Sequence, residues 1–198
     1  MNNTVIVDYD AGNLKSIANM LNYLGEDFSI SSNAKDIKNA KRIIFPGQGH
    51  FKQAIENLDK KNLIEPIKSV IAEGKPFLGI CLGLQILFEQ SEEAPGFEGL
   101  SILNGEVKKF TKGKVPQIGW NRIKTTLNNN DFLEEDFFYF VNSFYVVPKD
   151  NRIISSTTNY QIDFCSSIQN ENITAVQFHP EKSSEAGMKF FKLWISKT

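Results

Sequence analysis

Gly79-Ile80-Cys81-Leu82-Gly83 sets one cysteine between two glycines at the end of an apolar run, Phe77 to Ile80. Glycine weakens an ordinary strand or helix, so two of them around a single thiol need a reason. A strand that turns directly into a helix supplies one. Its turn residue is forced into a strained conformation and small neighbours relieve the crowding, as in the nucleophile elbow usually written with serine. A sulfur held there sits at a helix N-terminus, where partial positive charge favours thiolate over thiol. The Leu82 backbone N–H then faces any oxyanion formed at that sulfur. The competing reading is a buried structural cysteine, the usual state of a free thiol.

A thiolate needs an acid–base partner, and the chain has two histidines. His50 opens a helical pattern and reads as a surface residue of its first turn. His179 follows an apolar run, residues 173–178, in "AVQFHPEKS". Pro180 stiffens the turn after it, and Glu181 shares the same loop end. A carboxylate beside an imidazole raises its basicity and fixes its tautomer. Against a plain loop histidine with a solvated glutamate, the strand-end placement favours a triad of Cys81, His179 and Glu181. A second loop, Pro46-Gly47-Gln48-Gly49, ends another apolar run, Arg42 to Phe45. Its glycines let backbone N–H groups approach a ligand closely, although Pro-Gly also makes an ordinary type II turn. If both loops cap neighbouring parallel strands they face one crevice. Gln48 or Gly49 then offers a second oxyanion donor beside Leu82.

These residues need elements to position them, and the hydrophobic pattern predicts which. Residues 4–9 are a β-branched run, followed from Asn13 by a helical pattern with Leu14, Ile17, Ala18 and Leu21 on one face. Short strands are expected over 28–30 and 42–45, then helices over 51–58 and 63–73, the second tolerating Pro66 near its start and ending at Gly74. Residues 77–80 form a further buried strand, after which Cys81 leads into an amphipathic stretch. Near-continuous apolar strands alternating with helices predict an α/β fold, a largely parallel sheet covered on both faces. Beyond Phe88, short runs at 103–110, 137–140, 144–147, 153–156 and 164–168 alternate with polar turns such as "NNND" and "PKDN". They read as antiparallel hairpins added to that sheet. Residues 173–178 add a strand and 185–196 a closing amphipathic helix. With no linker, repeat or low-complexity tract, one domain over residues 1–198 is expected.

Composition narrows the function classes. Of 198 residues 22 are Lys or Arg and 23 Asp or Glu, a net charge of −1, which lacks the basic excess that nucleic acid requires. Two cysteines without C-x-x-C spacing suggest neither a disulfide framework nor a metal site. No apolar run approaches membrane length and "MNNTVIVDYD" has no leader pattern, so a cytoplasmic protein is expected.

Together the cysteine elbow, the "PGQG" loop and "FHPE" resemble a class I (triad) glutamine amidotransferase domain. "VDYDAGNLKS", "FPGQGHF", "FLGICLGLQILFE", "PQIGWN", "YFVNSFYV" and "VQFHPEKS", in that order, are similar to the glutaminase subunits of imidazole glycerol phosphate synthases. The resemblance covers essentially the whole chain. It implies a class I glutamine amidotransferase-like fold and hydrolysis of L-glutamine, with Cys81 as nucleophile, His179 as proton carrier and Glu181 orienting it. It assigns Gly47, Gln85, Glu93, Asn142, Ser143 and Phe144 to the bound glutamine. It implies a separate (β/α)8-barrel cyclase subunit as heterodimeric partner, which receives the ammonia and makes imidazole glycerol phosphate and an aminoimidazole carboxamide ribotide. Asn13, Trp120, Asn121, Tyr139 and Lys182 match positions facing that partner, against plain core packing for Trp120 and Tyr139 and a solvated Lys182. No cofactor or metal is implied. Gln48 stands where the family usually has a small apolar residue, and Asn142 and Phe144 where His and Tyr are common. A paralogous subunit supplying ammonia for amidation of a bacterial surface sugar is the alternative. A non-catalytic scaffold and a hydrolase of other small amides are more distant ones.

Overall fold

The computed structural model describes residues 4–10, 13–126 and 132–198. The expected polar turn "NNND", residues 128–131, lies outside the described residues, as do residues 11–12 of the "VDYDAGNLKS" stretch. Five short strands lie parallel in the order β2 (Phe28–Ser31), β1 (Thr4–Val7), β3 (Arg42–Phe45), β4 (Phe77–Ile80) and β12 (Ile173–Val176). Their side chains alternate between two cores. Val5, Val7, Ile43, Phe45 and Phe77 face one side, packed with Phe51 and Leu58 of α3 (Phe51–Lys60) and Ile67 and Val70 of α4 (Ile64–Ala72). Ile6, Ile44, Leu78 and Ile80 face the other, against Ile17 and Leu21 of α1 (Leu14–Leu24) and Phe190, Phe191 and Trp194 of α6 (Ser184–Lys197). A sheet apolar on both faces requires helices on both, and that is the layering found. Asn13 caps α1 by accepting from Ser16 N–H, and Gly25 at φ 75° ends it.

From β12 the sheet continues antiparallel through β11 (Ile162–Asn170), β10 (Ile154–Tyr160), β7 (Gln117–Thr125) and β8 (Phe137–Asn142). The short strand β9 (Phe144–Pro148) pairs with β11 and with β6 (Leu103–Lys109). The added hairpins are therefore present, with some differences from expectation. The "PQIGWN" stretch is itself a strand, β7; its glycine and exposed Ile118 and Trp120 hide the alternation. A short helix α2 (Ala34–Asn39) was not expected, because only Ile37 in it is fully buried. The stretch after Cys81 is no long amphipathic helix: α5 (Leu82–Gln85) has four residues and gives way to β5 (Phe88–Ser91), which pairs with β6 in parallel. No described helix is long and apolar enough to cross a membrane.

Candidate active site

Strands β3, β4 and β12 are neighbours with the same direction, so the segments following them emerge together. These are the 46–50 loop, the cysteine elbow and the "QFHPE" stretch. Cys81 adopts φ 51° and ψ −101°, a backbone state that a cysteine rarely takes. It persists because the surroundings over-determine it. Cys81 N–H donates to Val176 O at 2.7 Å, and Cys81 O accepts from Leu84 N–H at 3.0 Å.

The flanking glycines have a steric cause. A Cβ on Gly79 would lie 2.5 Å from Gly83 O, and one on Gly83 would lie 2.6 Å from Phe45 O. Gly47 is tighter still: its Cβ would fall 1.6 Å from Ile80 O and 2.5 Å from Leu82 N. Three bare α-carbons thus let the 46–50 loop, β4 and α5 interlock, and bring Gly47 onto the Leu82 N–H. Gly49 holds φ 131°, which a side chain would strain.

His179 and Glu181 meet at 2.8 Å, Nδ1 to Oε1, with side chains only 2% and 1% exposed. The imidazole and the Cys81 sulfur line the same cleft. Burial works against a charged ring here. The charge on Cys81 and the bonded Glu181 outweigh that cost, and the imidazole is held up at about 10. The resting site is therefore suited to an imidazolium in the cleft that holds the elbow sulfur. A helix of four residues has few aligned dipoles, so the helix end offers the sulfur less than the sequence led one to expect. Gln177 donates its Nε2–H to Cys81 Sγ at 3.4 Å.

A cleft of about 350 Å³ opens over the sulfur, at the small end of the range for ligand sites. Gly47, Gln48, Gly49, Cys81, Leu82, Gln85, Glu93, Ser143, Phe144 and His179 line it, and Pro116 and Val141 join them. Asn142 does not line it: its Nδ2 donates to Phe144 O at 3.0 Å from behind the wall. Glu93 also fixes the start of α3, its Oε2 accepting Phe51 N–H at 2.7 Å. Tyr9, which sequence reasoning did not single out, stacks on Phe45 and donates its hydroxyl to Pro46 O at 2.9 Å. It therefore anchors the other end of the same loop. Burial and the nearby Cys81 charge push its phenol well above the usual range, which keeps it a donor. Gln177 was also missed. Its signal was present in "QFH", because residues two apart in extended chain share a face. Among the described residues no cluster of three or more His, Cys, Asp or Glu is arranged to hold a metal ion.

The residues expected to face a partner divide. Trp120 is 51% exposed, contrary to core packing, and stacks edge-on against half-buried Tyr139 across the β7–β8 pair. Ile118 and Phe137, 60% and 53% exposed, flank them on the same face. Tyr139 O accepts His179 N–H at 2.8 Å, and Tyr139 N–H donates to Ser183 Oγ at 3.0 Å. This apolar face is thus bonded directly to the segment carrying His179, Glu181 and the half-buried Lys182. Asn121 and Asn13 have bonding partners within the chain, Asn159 O and Ser16 respectively.

Residues 5–196 match the family model described as glutamine amidotransferase class-I. Imidazole glycerol phosphate synthase subunit HisH of Dehalococcoides mccartyi is 42% identical over 191 residues, covering 94% of this chain and 93% of that protein. The HisH subunit of Caldanaerobacter subterraneus subsp. tengcongensis is 45% identical over 192 residues, covering 94% of each. Among solved structures, PurLQS from Thermotoga maritima superposes with a TM-score of 0.79 at 18% identity, over 99% of this chain and 98% of that one, a likeness of fold. With an elbow cysteine, a buried His–Glu pair and relatives of this closeness over nearly its whole length, the chain belongs to the class I glutamine amidotransferases, among the HisH subunits of imidazole glycerol phosphate synthase.

Proposed function

We propose that this glutaminase hydrolyses L-glutamine through a Cys81 thioester and passes the ammonia to a (β/α)8-barrel cyclase subunit in histidine biosynthesis, in the cytoplasm. The observation that carries the reading is the buried His179–Glu181 pair, its imidazole and the elbow sulfur lining one amino-acid-sized cleft. The thiolate attacks the side-chain amide carbon, and negative charge develops on its oxygen. Leu82 N–H, and an N–H of Gln48 or Gly49 once the 46–50 loop is in its competent state, are the donors to that oxyanion. The imidazolium gives its proton to the amide nitrogen, the C–N bond breaks, and ammonia leaves a thioester. The neutral imidazole then takes a proton from water, whose oxygen attacks the thioester. The C–S bond breaks, glutamate leaves, and the thiolate–imidazolium pair is restored. Glu181 holds the ring by Nδ1 so that Nε2 faces sulfur and leaving group.

Glu93 offers its carboxylate to the substrate ammonium, while Gln85, Ser143, Phe144 and Gly47 shape the rest of the cleft. Asn142 acts through the Phe144 carbonyl. The exposed Ile118–Trp120–Phe137 face is an apolar patch of the kind that partners cover, and its backbone link to His179 is a short path for coupling. Kinship with HisH subunits favours the histidine reading over surface-sugar amidation. The test is to mix the chain with the barrel subunit and glutamine and follow glutamate and imidazole glycerol phosphate together. Equal amounts of the two support the reading. Glutamate formation with no nitrogen transferred to the cyclase product would overturn the partner assignment.

A further inference from the structure

We propose that Gln177 is a positioning residue for Cys81: its side-chain amide, locked in one orientation by Gln85, directs an N–H at the sulfur and holds it as the attacking thiolate. The proposal rests on the assignment of Cys81 as nucleophile.

The locking follows from a chain of donors and acceptors that starts at a backbone carbonyl. Phe144 O can only accept. Gln85 Nε2 lies 3.2 Å from it and 3.1 Å from Gln177 Oε1, so both hydrogens of that one nitrogen are used. Rotating Gln85 by half a turn would set its oxygen against the Phe144 carbonyl. Rotating Gln177 would set one NH₂ against another. With both fixed, Gln177 Nε2 has one direction left, and Cys81 Sγ lies 3.4 Å along it. Gln177 is fully buried and Gln85 nearly so, and no solvent competes for these bonds.

The placement is written into the sheet. β12 and β4 are parallel with Val176 opposite Ile80, so the next residues, Gln177 and Cys81, lie side by side. Gln177 N–H donates to Ser166 O at 2.8 Å, fixing its backbone to β11. The opposing contact is Val141 O, 3.9 Å from Sγ, which accepts only from a thiol. Gln177 is nearer and favours the other state.

The titratable groups facing the sulfur are His179 beyond β12 and Tyr9 beyond β1, with Glu181 behind His179 and Glu93 lining the same cleft. None of them is altered by a change at Gln177, so a shift in sulfur titration isolates its amide. A hydrogen bond to a charged group is worth enough to move a titration by about one to two pH units.

The experiment uses the full-length chain and iodoacetamide, following alkylation of the Cys81 peptide by mass spectrometry from pH 5 to pH 10. Gln177→Met removes the N–H in a side chain of similar reach, and Gln177→Glu puts negative charge in its place. The alkylation midpoint should rise by about one to two pH units in Gln177→Met and further in Gln177→Glu. Gln85→Met, which frees the Gln177 amide to turn, should move it in the same direction by less, and carries the test if the Gln177 variants do not fold. Midpoints equal to wild type in the folded variants would overturn the role of Gln177. A wild-type Cys81 that resists alkylation throughout would instead overturn its assignment as nucleophile.

Discussion

His179 Nδ1 and Glu181 Oε1 are 2.8 Å apart inside a side-chain environment almost closed to water, two residues apart in sequence and joined by one turn of 3-10 helix. Pro180 begins that turn and gives the pair a rigid spacer. His179→Asn should lower glutamine turnover on the order of 10³-fold or more, because the proton carrier is gone. Glu181→Gln leaves an oxygen to accept from Nδ1 and should cost at least about ten-fold less. Steady-state glutamate formation by the complex checks the order. A more damaging Glu181→Gln would mean that the carboxylate does more than orient.

The same pair sets a pH dependence of stability. An unfolded imidazole titrates near 6.5, whereas the folded one is held up at about 10. The folded state therefore binds the proton more tightly. The contribution is complete below the unfolded value and is lost as pH rises toward the folded one. Urea midpoints of the wild type should fall between pH 7 and pH 10, and His179→Asn should show a smaller fall. Equal falls in the two proteins would contradict the assignment.

Cys81 and Cys165 should behave oppositely. Burial pushes the Cys165 thiol up to about 12 despite a lowering hydrogen bond with the Ser167 backbone, so it stays a protonated, inert core group. Cys81→Ala should abolish glutamine hydrolysis while the barrel still makes product from added ammonium salt. Cys165→Ala should change turnover only modestly. The paired assays, glutamine-fed and ammonium-fed, decide both points.

The parallel half of the fold was legible because buried strands such as Arg42–Phe45 and Phe77–Ile80 leave no doubt about their period or ends. That Cys81, His179 and Glu181 gather at one place was legible for a related reason, since strand ends carry them and turns of Gly and Pro mark those ends. Less could be read where tertiary pairing overrides local pattern. Phe88–Ser91 follows an elbow and looks helical by continuity, yet it extends because Leu103–Lys109 is there to pair with it. Trp120 could be core by its size, and its exposure follows from the β7–β8 register rather than from local pattern. Gln177 carries no motif of its own; its meaning comes from the register that sets it beside Cys81.

Trp120→Ala should separate stability from partnership. The indole is half exposed and touches mainly Tyr139, so its loss should shift Tm little. If this face is the seat of the barrel, truncating a central aromatic should weaken the complex by about 30-fold. Isothermal titration of the barrel into wild type and variant measures it. An unchanged Kd would move the interface elsewhere.

The 46–50 loop is pinned at its ends, by Tyr9 hydroxyl on Pro46 O and by Glu93 on Phe51 N–H, while Gln48 between them is half-exposed. Gly47 packs too closely against Ile80 for any side chain, and Gly49 sits at a φ that favours glycine. Pinned ends with glycine on both sides of Gln48 allow its peptide to turn while the rest of the loop stays in place. One orientation aims a carbonyl at the oxyanion position and the other an N–H. A peptide in the carbonyl orientation would leave little glutaminase activity without the barrel, since one lost oxyanion donor costs about 10²–10³-fold. The barrel and its nucleotide ligand would then shift the loop toward the competent state. Glutamate formation should accordingly be low in the isolated chain and rise strongly with loaded barrel. Gln48→Pro, which removes the Gln48 N–H, should blunt that rise. Full activity of the chain alone, or a normal rise in Gln48→Pro, would place the switch outside this loop.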